Sequence, residues 1–196
     1  MNAPEKAFVE EFVALRRHIH STPELAFEEH ETAALVADKL REWGYDVTIG
    51  IGGTGVVGQL RRGTSSVCLG LRADMDALPI QEATALPWAS TKPGLMHACG
   101  HDGHVAMLLG AAKVLQQFSG ELQGSVKLCF QQAEEQGGGT AELLAHLAAF
   151  PVQRAFAIHL WSEIEAGQIS VQAGPRMAAC DLVEIELSGV GCHGAS

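Results

Sequence analysis

The sequence has no long apolar run and little positive charge. No stretch approaches the roughly 18 consecutive apolar residues of a membrane-spanning helix, and residues 1–12 contain acids without an uninterrupted apolar segment. We therefore expect neither a membrane span nor a secretory signal. Lys and Arg number 13 against 23 Asp and Glu, which gives a formal net charge of −10. Because an acidic surface repels phosphate groups, nucleic acid and anionic membranes are not expected as partners.

The cysteines do not form a disulfide framework. There are five of them, an odd number, scattered at positions 68, 99, 129, 180 and 192. This usage is typical of a reduced, cytoplasmic protein in which most cysteines are small buried hydrophobes.

The 196 residues suffice for one α/β domain, or for one domain and the start of another. Apolar spacing predicts helices over 4–20, 28–43, 104–118 and 140–150, with Asp102 as a cap of the third. Strand-like runs cover 45–51, 56–60, 66–71, 126–130 and 155–159. The alternation of strands and helices predicts an α/β fold with three layers, helix–sheet–helix.

The pattern of polar and apolar residues changes near the end of the sequence. Residues 181–188, DLVEIELS, alternate between polar and apolar side chains, which predicts a half-exposed antiparallel strand. We expect residues 1–178 to form a first domain and residues 179–196 to begin a second one. The last residues fall within a Gly-rich stretch, so we expect the chain to be incomplete.

Polar side chains gather at the carboxyl ends of three predicted strands. Asp74 and Asp76 follow the third strand, Glu134 and Glu135 follow the fourth, and His159 ends the fifth. In open α/β sheets, sites are built at this edge. Each group alone has a structural interpretation, as a turn cap, a solvated surface pair or a buried histidine. Their coincidence predicts a site.

A further loop, MHACGHDGH (96–104), precedes a helix and can lie above the same edge. It could hold a metal, provide a thiol nucleophile with Cys99 and a histidine base, or be an accidental cluster. Cys99 and His101 are separated by one glycine, so both can face one side. His97 and His104 could instead orient ligands through their ring N–H groups.

Thiolate, imidazole and carboxylate together suit a divalent metal, and a thiolate can bridge two cations. A metal lowers the pKa of its water from about 15.7 towards about 7. With two adjacent glutamates, one can ligate while the other takes the proton of that water and passes it to a leaving amine. This arrangement suits amide hydrolysis.

Four segments carry a family resemblance: LRADMDALP (71–79), MHACGHDGH (96–104), QAEE with its glycines (132–139) and AIHLW (157–161). They resemble the M20 metallopeptidase family, and within it the amidohydrolase branch of hippurate hydrolases, N-acyl-amino-acid amidohydrolases and auxin-conjugate hydrolases. The resemblance extends over nearly the whole chain. This chain departs from the usual pattern at Gln132, where the family usually has proline.

The resemblance implies a role for each matching position. Cys99 would bridge two divalent metals, which could be Zn, Mn, Co or Ni. The resemblance implies His101, Glu135 and His159 as further metal ligands. It implies Glu134 as the general base and Asp76 as a supporting acid. His193 would be a histidine of the lid or dimerisation domain that polarises the scissile carbonyl.

The resemblance also implies that residues 1–178 belong to the catalytic domain and that residues 179–196 begin a lid or dimerisation domain with an α+β fold. The implied reaction is hydrolysis of N-acyl amino acids, by a protein that forms a homodimer when full length. Family members are longer. The part of their catalytic domain that follows the lid in the chain carries the last metal-binding histidine. Two alternatives therefore stay open at this point. One is an inactive remnant or metal-binding subunit, and the other is a cysteine hydrolase that uses Cys99 with His101 or His104.

Overall fold

The computed structural model describes residues 3–178, 183–191 and 193–194. They form two compact units, Met1–Leu160 and Trp161–Ser196. All helices and strands of the described residues lie in the first unit. No helix in the described part of the chain has both the length and the apolar character needed to span a membrane.

The elements alternate as the sequence predicts. In chain order they are α1 (Ala3–Ser21), α2 (His30–Glu42), β1 (Asp46–Ile51), β2 (Gly55–Arg62), β3 (Cys68–Asp74), α3 (His101–Gln117), β4 (Gly124–Gln131), a single 3-10 turn (Glu134–Gln136), α4 (Thr140–Ala148) and β5 (Arg154–Ala157).

The five strands form one mixed sheet in the order β1-β2-β4-β3-β5. β1 pairs with β2, and β2 with β4, in antiparallel fashion. β3 runs parallel to both of its neighbours, with Asp74 opposite Gln131 of β4 and Arg72 opposite Ala157 of β5. The carboxyl ends of β3, β4 and β5 therefore meet at one edge.

Helices cover both faces of the sheet. Helices α1, α2 and α3 share the larger apolar core with one face, to which Val56 and Leu60 of β2 contribute. Leu143 of α4 packs with Val57 and Cys129 on the other face. Because β2 alternates Val56 and Val57 between these two cores, the sheet is the middle layer. The predicted three-layer α/β fold is confirmed.

Two local predictions are wrong. Helix α3 begins at His101, three residues before the predicted start, and its N-cap is Gly100 with φ +84°. Asp102 is not the cap: it lies in the first turn, where its carboxylate pairs with Arg16 at 2.6 Å and accepts a hydrogen bond from His20 Nδ1 at 2.8 Å. These partners come from α1 and are distant in the sequence.

The predicted strand at 181–188 does not form over residues 183–188, which have no regular structure and are exposed. Residues 181 and 182 lie outside the described residues. A strand needs a neighbouring strand to pair its backbone groups. The described part of the second unit contains no strand. The predicted domain boundary at residue 178 stays a prediction, while the first compact unit ends at Leu160.

A long connection, residues 75–100, joins β3 to α3 and carries Cys99. Hydrogen bonds to the end of α1 and the turn after it hold this connection: Thr91 N donates to Ser21 O at 2.9 Å, and Ala77 N donates to Glu24 O at 2.8 Å. The connection is also closed on itself where Leu78 and Met96 exchange backbone hydrogen bonds of 3.0 Å. Cys99 is thus delivered by an anchored segment.

Candidate metal centre

Three strand ends and one helix start converge at the sheet edge. Asp74 ends β3, and Asp76 follows two residues later. Glu134 and Glu135 form the 3-10 turn after β4, and His159 follows β5 by two residues. The left-handed Gly100 turns the chain from the loop into α3, so that Cys99 and His101 reach the same edge.

The side chains predicted as metal ligands come together here. The potential ligand atoms of Cys99, His101 and His159 all lie within 4.8 Å of one another, as do those of His101, Glu134 and Glu135. Cys99 Sγ is 3.6 Å from His159 Nε2. One oxygen of each glutamate lies 3.8 Å from His101 Nε2. His101 is the shared member of both groups.

The ring of His101 is oriented for a ligand at Nε2. Its Nδ1 lies 2.9 Å from the backbone oxygen of Asp76, which can only accept, so Nδ1 carries the proton. The lone pair is then on Nε2, which is buried and has no hydrogen-bond partner among the described residues. A hydrogen bond of this kind is the usual way in which metal-binding histidines are oriented.

Asp76 lies where a supporting acid is expected. Its Oδ1 is 3.3 Å from His101 Nδ1, and its Oδ2 accepts the backbone N–H of Glu135 at 2.9 Å. One carboxylate thus connects the start of α3 with the turn after β4. Its assignment as a supporting residue stays a prediction.

The electrostatics of the cluster favour added positive charge. Burial and the carboxylates of Glu135, Asp74 and Glu134 raise the pKa of the Cys99 thiol to about 12. Burial also raises the pKa of Glu135. Burial opposes protonation of His101, but the hydrogen bond with Asp76 and the nearby carboxylates outweigh it and raise the pKa of His101. Cys99 and Glu135 thus hold a proton more firmly than usual mainly because they are buried, with nearby carboxylates adding to the effect, and His101 does so because of the carboxylates around it.

The residues fit divalent cations. Sulfur, imidazole nitrogen and carboxylate oxygen are the donors that Zn²⁺ and related ions accept. The buried His101 Nε2 and Glu135 Oε1 lack hydrogen-bond partners in the described part of the chain, and such atoms are costly unless something binds them. Cations would also neutralise the carboxylates that, together with burial, raise the pKa of Cys99.

A third group, Asp74, His101 and His104, meets the same distance criterion, but its member His104 is already satisfied by other partners. His104 Nδ1 lies 2.6 Å from Asp74 Oδ1, and His104 Nε2 accepts the N–H of Leu160 at 2.9 Å. Both ring nitrogens are engaged, so His104 has no lone pair left for a cation.

Part of this network is not evident from the sequence. The sequence alone allows Asp74 as a turn cap or as a site residue, and it predicts no role for Arg72. In the structure, Arg72 Nη1 pairs with Asp74 Oδ2 at 2.7 Å and Arg72 Nε donates to Gln131 Oε1 at 3.0 Å. Burial alone would raise the pKa of Asp74, but His104, His101 and Arg72 lower it to about 2. The sequence feature that could have indicated this ion pair is the presence of Arg72 and Asp74 at the end of an otherwise apolar strand.

Three further histidines are not members of these donor groups. His193 is exposed and belongs to the second unit, and its role in the reaction stays a prediction. His20 pairs with Asp102, as a structural histidine would. His97 is buried, which lowers its pKa to about 4, and none of the donor groups includes it.

Comparison with known proteins agrees with this geometry. The sequence model of peptidase family M20/M25/M40 matches residues 70–192. An N-acyl-L-amino acid amidohydrolase of Geobacillus stearothermophilus is 43% identical over 93% of the chain and 50% of its own length. The hippurate hydrolase of Campylobacter jejuni is 46% identical over 95% of the chain and 49% of its own length.

Solved structures show the same fold. The Bacillus subtilis YXEP protein, described as a dinuclear metal binding peptidase from the M20 family, superposes with a TM-score of 0.82 at 38% identity. The match covers 87% of this chain and 48% of that one. The chain thus spans about half the length of the curated relatives it matches.

Proposed function

The chain belongs to peptidase family M20/M25/M40, and from this premise we propose that the whole protein is a metal-dependent amidohydrolase. Its reaction would be the hydrolysis of the amide bond of N-acyl amino acids, with hippurate as the reference substrate. The observation that carries the proposal is the convergence of Cys99, His101, Glu135 and His159, with Glu134 beside them. Relatives named for N-acyl amino acids and hippurate support the substrate class.

Cys99, as a thiolate, together with His101, Glu135 and His159 would hold two divalent cations. Zn, Mn, Co and Ni all suit this donor set. When bound, the cations would supply a Lewis acid that polarises the scissile carbonyl and makes water a stronger nucleophile at neutral pH. Asp76 would keep His101 and the Glu135 backbone in place.

Glu134 would act as general base and then as general acid. Its side chain is 41% exposed, against 20% for Glu135, which supports Glu134 as the glutamate that would face an incoming substrate. Glu134 would take a proton from the attacking water and give it to the leaving nitrogen. The products are a carboxylic acid and an amino acid, and Glu134 returns to its starting state.

The remaining assignments concern the second unit and the assembly. We propose that His193 helps to polarise the carbonyl and that the whole protein works as a cytoplasmic homodimer. The acidic net charge of −10 supports a small-molecule substrate over nucleic acid or an anionic membrane surface.

A thiol nucleophile fits the site poorly. Nucleophilic cysteines have a lowered pKa, whereas burial and three carboxylates raise the pKa of Cys99 to about 12. That mechanism would also leave Glu134 and Glu135 without a function. The same carboxylates suit a thiolate that is stabilised by cations.

The test is hippurate hydrolysis by the purified protein before and after dialysis against EDTA. We expect two bound cations per chain, loss of turnover on dialysis, and recovery when Mn²⁺ or Zn²⁺ is added. Equal turnover by the metal-free protein would contradict the proposal. Two bound cations without turnover would favour a metal-binding subunit instead.

The paired variant is Glu134→Gln, which keeps the shape of the side chain but removes the base. General acid–base catalysis contributes typically 10²–10⁴-fold, so we expect a loss of about that size in kcat with the metal content unchanged. The control is Glu121→Gln, at an exposed position before β4. A Glu134→Gln protein that is as active as this control would exclude the proposed base.

A further inference from the structure

The backbone of Leu160 lies between two histidines. Its N–H donates to His104 Nε2 at 2.9 Å, and its carbonyl oxygen accepts from His159 Nδ1 at 2.5 Å. The other ring nitrogen of His159, Nε2, faces Cys99 Sγ at 3.6 Å. The placement of the Leu160 backbone therefore sets the direction in which the His159 ring presents its lone pair.

The hydrogen-bond partners fix the tautomer of His104. A backbone N–H can only donate, so Nε2 must be the unprotonated nitrogen. Nδ1 then carries the proton and donates it to Asp74 Oδ1 at 2.6 Å. Asp74 is held in turn by Arg72 at 2.7 Å. The chain Arg72–Asp74–His104–Leu160 is complete, and both Asp74 and His104 are at least 97% buried.

Packing supports the same connection. The Leu160 side chain lies over the first turn of α3, where a Cβ at Gly103 would come within 2.5 Å of Leu160 Cδ1. The rings of His104 and His159 meet edge to face, with their centroids 4.6 Å apart. β5 has only four residues, and all of them are exposed. Contacts with α3 are therefore needed to fix the position of the segment that follows β5.

We propose that Asp74 and His104 are positioning residues: they hold the backbone of Leu160, and through it the ring of His159, beside Cys99. The inference rests on the proposed function only in taking Cys99 and His159 as cation ligands. His104 does not itself bind a cation. It fixes the segment after β5 to the start of α3, so that donors from two distant elements stay together.

The first test uses the metal-free wild-type protein and needs no activity. Histidine-selective ¹⁵N NMR should show His104 with its proton on Nδ1. The Leu160 amide should show a scalar coupling across its N–H···N hydrogen bond to His104 Nε2. A His104 ring protonated on Nε2, or a Leu160 amide that exchanges rapidly and shows no coupling, would overturn the proposal.

The second test compares two variants of one residue. His104→Gln places an amide oxygen near the position of Nε2, where it can accept the Leu160 N–H. His104→Asn places an amide N–H near the position of Nδ1 and keeps only the bond to Asp74. Co²⁺ titration, followed by the thiolate-to-cobalt absorption of Cys99, measures cation affinity. Residues that orient metal ligands typically contribute 10–100-fold to affinity.

We therefore expect His104→Asn to bind Co²⁺ about 10–100-fold more weakly than wild type, and His104→Gln to recover most of that loss. If both variants lose affinity equally, and thermal unfolding of the metal-free proteins shows the same loss of stability, His104 only packs the core and the proposal fails. If the Asn–Gln difference is present but hippurate is not hydrolysed, the positioning role holds and the proposed function fails.

Discussion

At the scale of single residues, the site is defined by unbalanced charge. Asp76, Glu134 and Glu135 surround His101, and the Cys99 thiol lies among them with its pKa raised to about 12. A thiolate is the form that binds metal. Metal binding must therefore remove a proton that the metal-free site holds firmly.

This predicts that binding releases protons. At pH 8, titration of the metal-free protein with Zn²⁺ should release at least one proton per chain, because Cys99 is protonated before binding and a thiolate afterwards. Calorimetry in buffers of different ionisation enthalpy measures the number. Cys99→Ser should release one proton fewer, since a serine hydroxyl stays protonated. Binding enthalpies that do not depend on the buffer would contradict a protonated Cys99.

The residue types of the site could be predicted from sequence, but their orientations could not. Cys99, His101, Glu135 and His159 stand out because each follows a strand or precedes a helix at the same sheet edge. The tautomer of His101 depends on a backbone oxygen 25 positions away, and a backbone carbonyl leaves no signal in the sequence. The same holds for the Leu160 backbone.

At the scale of elements, the turn after β4 decides where the two glutamates point. Ala133 has φ +53°, a left-handed conformation that is uncommon for a residue with a side chain, and Gly137 and Gly139 have φ +66° and +75°. These three residues bracket the 3-10 turn of Glu134–Gln136. The glycines after the turn thus adopt defined left-handed conformations that determine its shape, and they do not simply make it flexible.

Gly139 should tolerate substitution less well than Gly137. A Cβ at Gly139 would lie 2.2 Å from the backbone oxygen of Gln132, whereas at Gly137 nothing lies within 4 Å. Both alanine variants carry the left-handed strain of about 1–2 kcal/mol. Gly139→Ala should lose a further ~1–3 kcal/mol in free energy of unfolding because the backbone must move. Urea denaturation measures both values, and equal losses would show that the turn adapts freely.

Element types were predictable from apolar spacing, and element ends were not. All four helices and all five strands of the first unit appear at the predicted places. The start of α3 was misplaced because His101 and Asp102 are buried polar residues that contact α1 and the sheet edge, so they do not follow the apolar pattern. Residues 181–188 have the alternation of a strand, but a pattern cannot supply a partner strand.

At the scale of the whole molecule, the site joins elements that the chain keeps far apart. The predicted ligands come from the loop before α3, the start of α3, the turn after β4 and the segment after β5. A cation bound there would connect the start of α3 with the segments that follow β4 and β5. It would bind the folded chain but not the unfolded chain. Such binding stabilises by RT ln(1 + [L]/Kd), which is about 2.7 kcal/mol at a ligand concentration of 100 Kd.

The stabilisation by metal should depend on pH. His101 binds a cation only when it is deprotonated, and its pKa is raised in the metal-free fold. In EDTA, the stability that protonated His101 contributes is present below the unfolded pKa of about 6.5 and is lost as the pH rises through the raised value. In Zn²⁺, the trend is opposite, because a rising pH frees the ligand.

The difference in free energy of unfolding between Zn²⁺ and EDTA should therefore grow from pH 5.5 to pH 8. Urea denaturation at each pH, with Zn²⁺ at a fixed concentration near 100 times the Kd measured at pH 8, gives this difference. Glu135→Gln removes a predicted ligand and should reduce the difference at pH 8, whereas Glu121→Gln, at an exposed position, should leave it unchanged. A difference that is the same at both pH values would mean that His101 Nε2 does not meet the cation, and the convergence at the sheet edge would then not be a metal centre.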